Sequence, residues 1–155
     1  MDIHGLQKLT LLDFPGHVAC TVFLAGCDFR CPFCHNGGLV LGSMEPVMDD
    51  AGLLAFLKKR QGLLDGVAVT GGEPLLQPEL PRFLSAVRAM GYLVKLDTNG
   101  TLPAPLKALL VAGLVDALIY VGSALAGTLT GWLHETTGVW TSVYLIWAAV
   151  AIVGA

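Results

Sequence analysis

The sequence predicts an α/β domain built on a parallel sheet, and three observations predict it. Short apolar runs alternate with segments of helical periodicity between residues 18 and 121. Glycines or turn residues close the runs, as in Gly26, Gly71-Gly72, Gly91 and Gly113. The chemically distinctive residues follow the ends of the first three apolar runs, which places them together on the carboxyl edge of a sheet joined by right-handed crossovers. Barrel enzymes put their sites on that edge, whereas a doubly wound sheet is the alternative architecture for the same alternation.

The elements follow in order. Val18 to Ala25 (VACTVFLA) reads as a buried strand ending at Gly26. Asp49 and Asp50 offer an acidic N-cap to a helix over Ala51 to Arg60, where Leu53, Leu54, Phe56 and Leu57 recur at helical spacing. Gly66 to Thr70 is a second strand. Pro78 to Met90 carries Leu80, Phe83, Leu84 and Val87 on one helical face, with Pro81 tolerable in the first turn. Tyr92 to Asp97 alternates as a third strand, and Thr98, Asn99 and Gly100 form a turn. Pro103 to Ala112 is a third helix, and Val115 to Val121 a fourth strand.

A chain of 155 residues suffices for one domain with a real core, or one domain and a short appendage. The net charge of −3 gives no electrostatic reason to expect nucleic acid, and the one basic cluster, Lys58-Lys59-Arg60, reads as a solvated helix end. The N-terminus lacks the basic flank and apolar block of a signal peptide, and the cysteine usage implies a reducing cytoplasm.

Cys27, Cys31 and Cys34 lie in GCDFRCPFCHN, directly after the first strand. Three thiolates on one loop can hold three irons of a [4Fe-4S] cube and leave the fourth open to a small molecule. A structural zinc site or unliganded thiols are the competing readings; for zinc, His35 adjoins Cys34 and CxxxCxxCH matches no usual spacing. Cys20, inside the strand, reads as a packing residue. His4, His17 and His35 have no partner at useful spacing and are expected at the surface or behind a site.

The ordered motifs GLQKLTLLDFPGHVACTVFLAGCDFRCPFCHN, VTGGEP and LDTNG closely resemble the radical S-adenosylmethionine (SAM) activating enzymes over about residues 3–118. The nearest resemblance is to the anaerobic ribonucleotide reductase activating proteins and the pyruvate formate-lyase activating enzymes. The resemblance implies a partial (β/α) barrel, a [4Fe-4S] cluster on Cys27, Cys31 and Cys34, and SAM chelated to the open iron. Reductive cleavage of SAM would give a 5′-deoxyadenosyl radical that takes a glycine hydrogen from a partner glycyl radical enzyme, expected to be an anaerobic ribonucleotide reductase. A flavodoxin- or ferredoxin-type protein would donate the electron. Phe33 falls at the position beside the adenine, with core packing as the alternative. Gly71, Gly72 and Glu73 match the GGE motif, whose glycines admit the ligand and whose carboxylate accepts from the methionine ammonium. Asp97 and Thr98, continued by Asn99, match a position where some activases bind a monovalent cation, an Asx-type turn being the competing reading. Asp13, Pro15 and Gly16 match a segment that positions a turn before the first strand.

The pattern breaks after the fourth strand. The acidic and lysine positions expected next fall on Val121 and Ser123, and from Ala117 to Ala155 the one formal charge is Glu135. The mean hydropathy of +0.68 comes largely from this tail. Residues 1–118 are therefore expected to be the N-terminal part of a radical SAM domain, truncated after strand four, and 119–155 an apolar helical tail. The tail faintly resembles a piece of a multi-spanning transporter. Gly127 and Gly131 suit close helix packing, and Trp132, Trp140 and Tyr144 suit membrane interfaces. A membrane hairpin, a pair of helices covering strand four, and the product of a frameshift or fusion are the three explanations of it. A non-catalytic cluster-binding remnant and a radical SAM enzyme acting on a small molecule are the alternatives to the activase.

Overall fold

A computed structural model of the chain describes residues 1–31, 34–118 and 135–136. The chain divides into two compact units, Met1–Ile119 and Tyr120–Ala155. Of the second, Glu135 and Thr136 are described, both helical and exposed. The expected membrane hairpin, the transporter-like tail and the end of the fourth strand lie outside the described residues. Among the described residues, no helix is long and apolar enough to cross a membrane.

The first unit runs β1 (Asp2–Ile3), β2 (Gly5–Thr10), β3 (Ala19–Leu24), α1 (Gly37–Val40), β4 (Met48–Asp49), α2 (Asp50–Lys58), β5 (Gly66–Gly71), α3 (Leu80–Ala89), β6 (Leu93–Leu96), α4 (Pro103–Val111) and β7 (Ala117–Leu118). Its main sheet has the order β2-β3-β5-β6-β7. From β3 to β7 every pairing is parallel and follows chain order. A doubly wound sheet would reverse direction at a switch point; this unbroken progression is the pattern of a barrel wall.

The alternation of β3, β5 and β6 sorts their side chains. Cys20, Val22 and Leu24, with Val67, Val69, Val94 and Leu96, enter one core shared with Leu53 and Leu57 of α2 and Leu80, Phe83, Leu84 and Val87 of α3. Leu109 joins from α4. Burial pushes the Cys20 thiol up to about 12, as its packing role requires. The helix N-termini obey the local rules: Asp49 accepts from Gly52 N at 2.7 Å, and Pro81 falls in the first turn of α3. Tyr92, at the head of β6, donates its hydroxyl to Leu57 O at 2.7 Å and ties the sheet to the end of α2.

Two corrections concern the amino-terminal region. The sheet is mixed, because β2 pairs antiparallel with β3 ahead of the first expected strand. Its sequence GLQKLT exposes Gln7, Lys8 and Leu9, a pattern too polar for a buried strand but suited to a sheet edge. A second, two-stranded sheet pairs β1 with β4. The DFPG segment does make the turn that leads into β3, with His17 N donating to Phe14 O at 3.0 Å.

Candidate functional site

The site forms where β3, β5 and β6 end. The cysteine loop leaves β3 through Gly26, whose N–H donates to Leu39 O of α1 at 2.8 Å. No apolar periodicity marks α1, a single turn containing two glycines. Cys27 and Cys31 are half-buried, Cys34 is exposed, and all three are free thiols. Phe29 N donates to Cys27 Sγ at 3.4 Å, and Asn99 Nδ2 approaches the same sulfur at 3.9 Å. Cys34 N donates to Cys31 O at 3.0 Å. Phe33, expected beside the adenine, lies outside the described residues.

Gly71 and Gly72 end β5 against the backbone of β3. A Cβ on Gly71 would lie 2.2 Å from Leu24 O, and one on Gly72 would lie 1.9 Å from Gly26 O and 3.3 Å from Cys27 Cβ. Gly71 also has φ +123°, where side chains are strained. The approach these glycines visibly permit is therefore between two strand ends. Gly72 N donates to Leu24 O at 2.8 Å and Glu73 N to Gly26 O at 2.7 Å, which extends the ladder into the cysteine loop.

Glu73 is fully buried. Its Oε1 accepts from Leu75 N at 3.0 Å and Thr98 Oγ1 at 2.9 Å, and its Oε2 accepts from Asn99 N at 2.7 Å. Oε1 is thus saturated, while Oε2 keeps acceptor capacity for one more donor. Asn99 carries the connection onward, giving Nδ2 to Asp28 Oδ1 at 2.7 Å. Thr101 Oγ1 donates to the other Asp28 oxygen at 2.5 Å. Asp28 is exposed, yet the Thr101 hydroxyl, and after it the Asn99 amide, hold its carboxyl below the ordinary aspartate range. One hydrogen-bonded chain, Asp28 to Asn99 to Glu73, therefore joins all three motif loops. Gln77 Nε2 adds a further tie to Ala25 O at 2.9 Å.

Asp97 Oδ1 lies 2.8 Å from Lys95 Nζ, and Thr98 Oγ1, besides its bond to Glu73, accepts from Gly100 N at 3.1 Å. Sequence reasoning missed Asp28, Thr101 and Lys95. Their one signal was proximity to motif residues, since Asp28 lies inside the cysteine spacing and Lys95 shares the strand parity of Asp97.

His4 is half-buried, and its Nδ1 is enclosed without a hydrogen-bond partner among the described residues. His17 packs edge-on against the Phe14 ring, and His35 is exposed.

Among the described residues, no three His, Cys, Asp or Glu side chains converge on a point that one metal ion could occupy. A cube does not require convergence, because each thiolate binds a different iron. Three free thiols on one loop, without a histidine or carboxylate closing a tetrahedral set, fit that donor pattern better than a structural zinc.

Comparison with known proteins agrees with this geometry. Residues 21–124 match the radical SAM superfamily. A protein of Methanocaldococcus jannaschii provisionally named a glycyl-radical enzyme activating enzyme is 31% identical over 123 residues, covering 74% of this chain and 47% of that protein. A 7-carboxy-7-deazaguanine synthase of Hyperthermus butylicus is 39% identical over 100 residues, covering 59% of this chain and 39% of the synthase. The chain thus spans less than half the length of either relative. Among solved structures, QueE from Escherichia coli superposes with a TM-score of 0.53 at 23% identity, over 64% of this chain and 53% of that one. The resemblance of the tail to a transporter finds no support in these comparisons.

Proposed function

Because the chain belongs to the radical SAM superfamily, we propose that Cys27, Cys31 and Cys34 hold three irons of a [4Fe-4S] cluster whose fourth iron takes S-adenosylmethionine. When bound, the cluster would supply the single electron that breaks a carbon-sulfur bond of the sulfonium and releases methionine, the chemistry from which hydrogen-atom abstraction from a substrate would follow. The observation that carries this reading is the hydrogen-bonded chain from Asp28 through Asn99 to Glu73, which fixes the cysteine loop against the ends of β5 and β6.

The residues of this chain then have definite tasks. The Phe29 N–H and the Asn99 amide stabilise a thiolate at Cys27. Gly71 and Gly72 keep β5 close enough to β3 for Glu73 N to anchor the cysteine loop. Glu73 Oε2 offers its remaining lone pair to the methionine ammonium, and Asp97 stands on the adjoining loop. Residues 1–118 act as the N-terminal part of the radical SAM domain and 119–155 as a separate appendage. The unit boundary at Ile119 supports that division, and the family match extends past it to residue 124.

For the substrate, we favour the glycine of a partner glycyl radical enzyme, an anaerobic ribonucleotide reductase, with a flavodoxin- or ferredoxin-type donor. The support is the M. jannaschii relative and its coverage of 74% of this chain. The synthase relative favours a second reading, in which the hydrogen comes from a small molecule. Anaerobic reconstitution with iron and sulfide is expected to give about four irons per chain and a cluster spectrum lost in Cys31→Ala. A protein that takes up zinc and no iron would sink the proposal. Dithionite and SAM should then yield 5′-deoxyadenosine; well-loaded protein that yields none is a cluster-binding remnant. A glycyl radical signal on an added reductase, or its absence alongside turnover of a purine-like small molecule, separates the two substrate readings.

A further inference from the structure

Lys95 and Asp97 stand two residues apart at the end of β6, so both leave the strand on the same side. Val94 and Leu96 leave on the other side, into the core under the helices. Lys95 is 4% exposed, and its Nζ lies 2.8 Å from Asp97 Oδ1. That oxygen is buried and receives no directed hydrogen bond among the described residues, so the contact is Coulombic rather than angular. Charge without direction is also what a bare monovalent cation contributes. A half-buried carboxylate with one enclosed oxygen is favoured by a countercharge, and Lys95 supplies one from a fixed position on the strand. Thr98, the second residue expected to ligate a cation, has its hydroxyl engaged by Glu73 and Gly100.

We infer that Lys95 occupies the place of a monovalent cation beside Asp97, so that this chain binds its cofactor without added Na⁺ or K⁺. The clause about the cofactor rests on the function proposed above; the exclusion of the cation does not. Two dialysis measurements separate them, each in tetramethylammonium buffer with and without KCl. The first follows radioactive Rb⁺ on the metal-free chain. The second follows SAM on the cluster-loaded chain.

The wild type is expected to retain no Rb⁺ and to change its SAM affinity by less than about twofold on adding K⁺. Lys95→Met, which keeps the length and removes the charge, should retain about one Rb⁺ per chain and lose SAM affinity by about tenfold without K⁺, recovering most of it with K⁺. Lys95→Arg should behave as the wild type. Stoichiometric Rb⁺ on the wild type, a rise of about fivefold or more in its SAM affinity with K⁺, or cation independence in folded Lys95→Met would each overturn the inference. Should Lys95→Met not fold, the wild-type and Lys95→Arg measurements decide it. A loaded wild type that binds no SAM in either buffer defeats the proposed function and the cofactor clause, while the Rb⁺ result still decides the cation exclusion.

Discussion

Glu73 shows how a motif residue can hold a site together before it meets any ligand. Its carboxylate accepts three hydrogen bonds, from Leu75 N, Thr98 Oγ1 and Asn99 N. Glu73→Ala leaves three donors without an acceptor and is expected to lower unfolding free energy by about 3 kcal/mol, measurable by urea denaturation. Glu73→Gln should cost less, since its amide oxygen can still accept. Asp28 acts at the surface of the same chain of bonds. Its carboxyl is held below the ordinary range, so the latch contributes stability that is complete above that range and is lost as the pH falls through the lowered folded-state value. The Asn99 side-chain amide should therefore keep one chemical shift through the ordinary aspartate range and move only at lower pH, as read by NMR on the metal-free chain. In Asp28→Ala the loop loses both contacts, and iodoacetamide should modify Cys27 several-fold faster than in the wild type. Equal rates would mean that Asn99 and Thr101 do not restrain the loop. None of these contacts was visible in the sequence, because Asp28 and Thr101 are 73 residues apart and only folding makes them neighbours.

The elements were legible where a periodic pattern coincided with a stop signal. The α3 helix was expected over Pro78 to Met90 and runs Leu80–Ala89, with all four expected core positions buried. Phe83→Ala should destabilise the chain by about 3–5 kcal/mol, because its side chain is enclosed between helix and sheet. The β2 and β1 strands were missed for a physical reason: an edge strand needs few apolar residues, and a two-residue strand has no period to detect. The ends of β3 and β5 make a sharper test. Gly72→Ala drives a methyl group into Gly26 O, so the two strand ends must separate. A loss of about 3 kcal/mol or more is expected from that overpacking, together with faster exchange of the Glu73 amide. Unchanged stability would show that the cysteine loop can yield without cost.

At the scale of the whole unit, the cysteine loop is bonded to β5 and β6 as well as to its own strand. A ligand held by that loop therefore stabilises the sheet rather than a local turn. Loading iron and sulfide should raise the thermal midpoint of the metal-free chain by several degrees, and chelation should reverse the rise. No change would place the cluster on a loop uncoupled from the fold. The sequence by itself determined the alternation of strands and helices, the three-cysteine donor set and the gathering of three motifs on one sheet edge. Each of these depends on residue type and local spacing. Tertiary structure alone decided that Gly71 and Gly72 serve strand contact, that Glu73 is a buried junction, that Asp28 latches the cysteine loop, and that Lys95 neutralises Asp97. The sequence order specifies which groups exist, but burial and the pairing of polar atoms arise only when distant segments are brought to hydrogen-bonding distance.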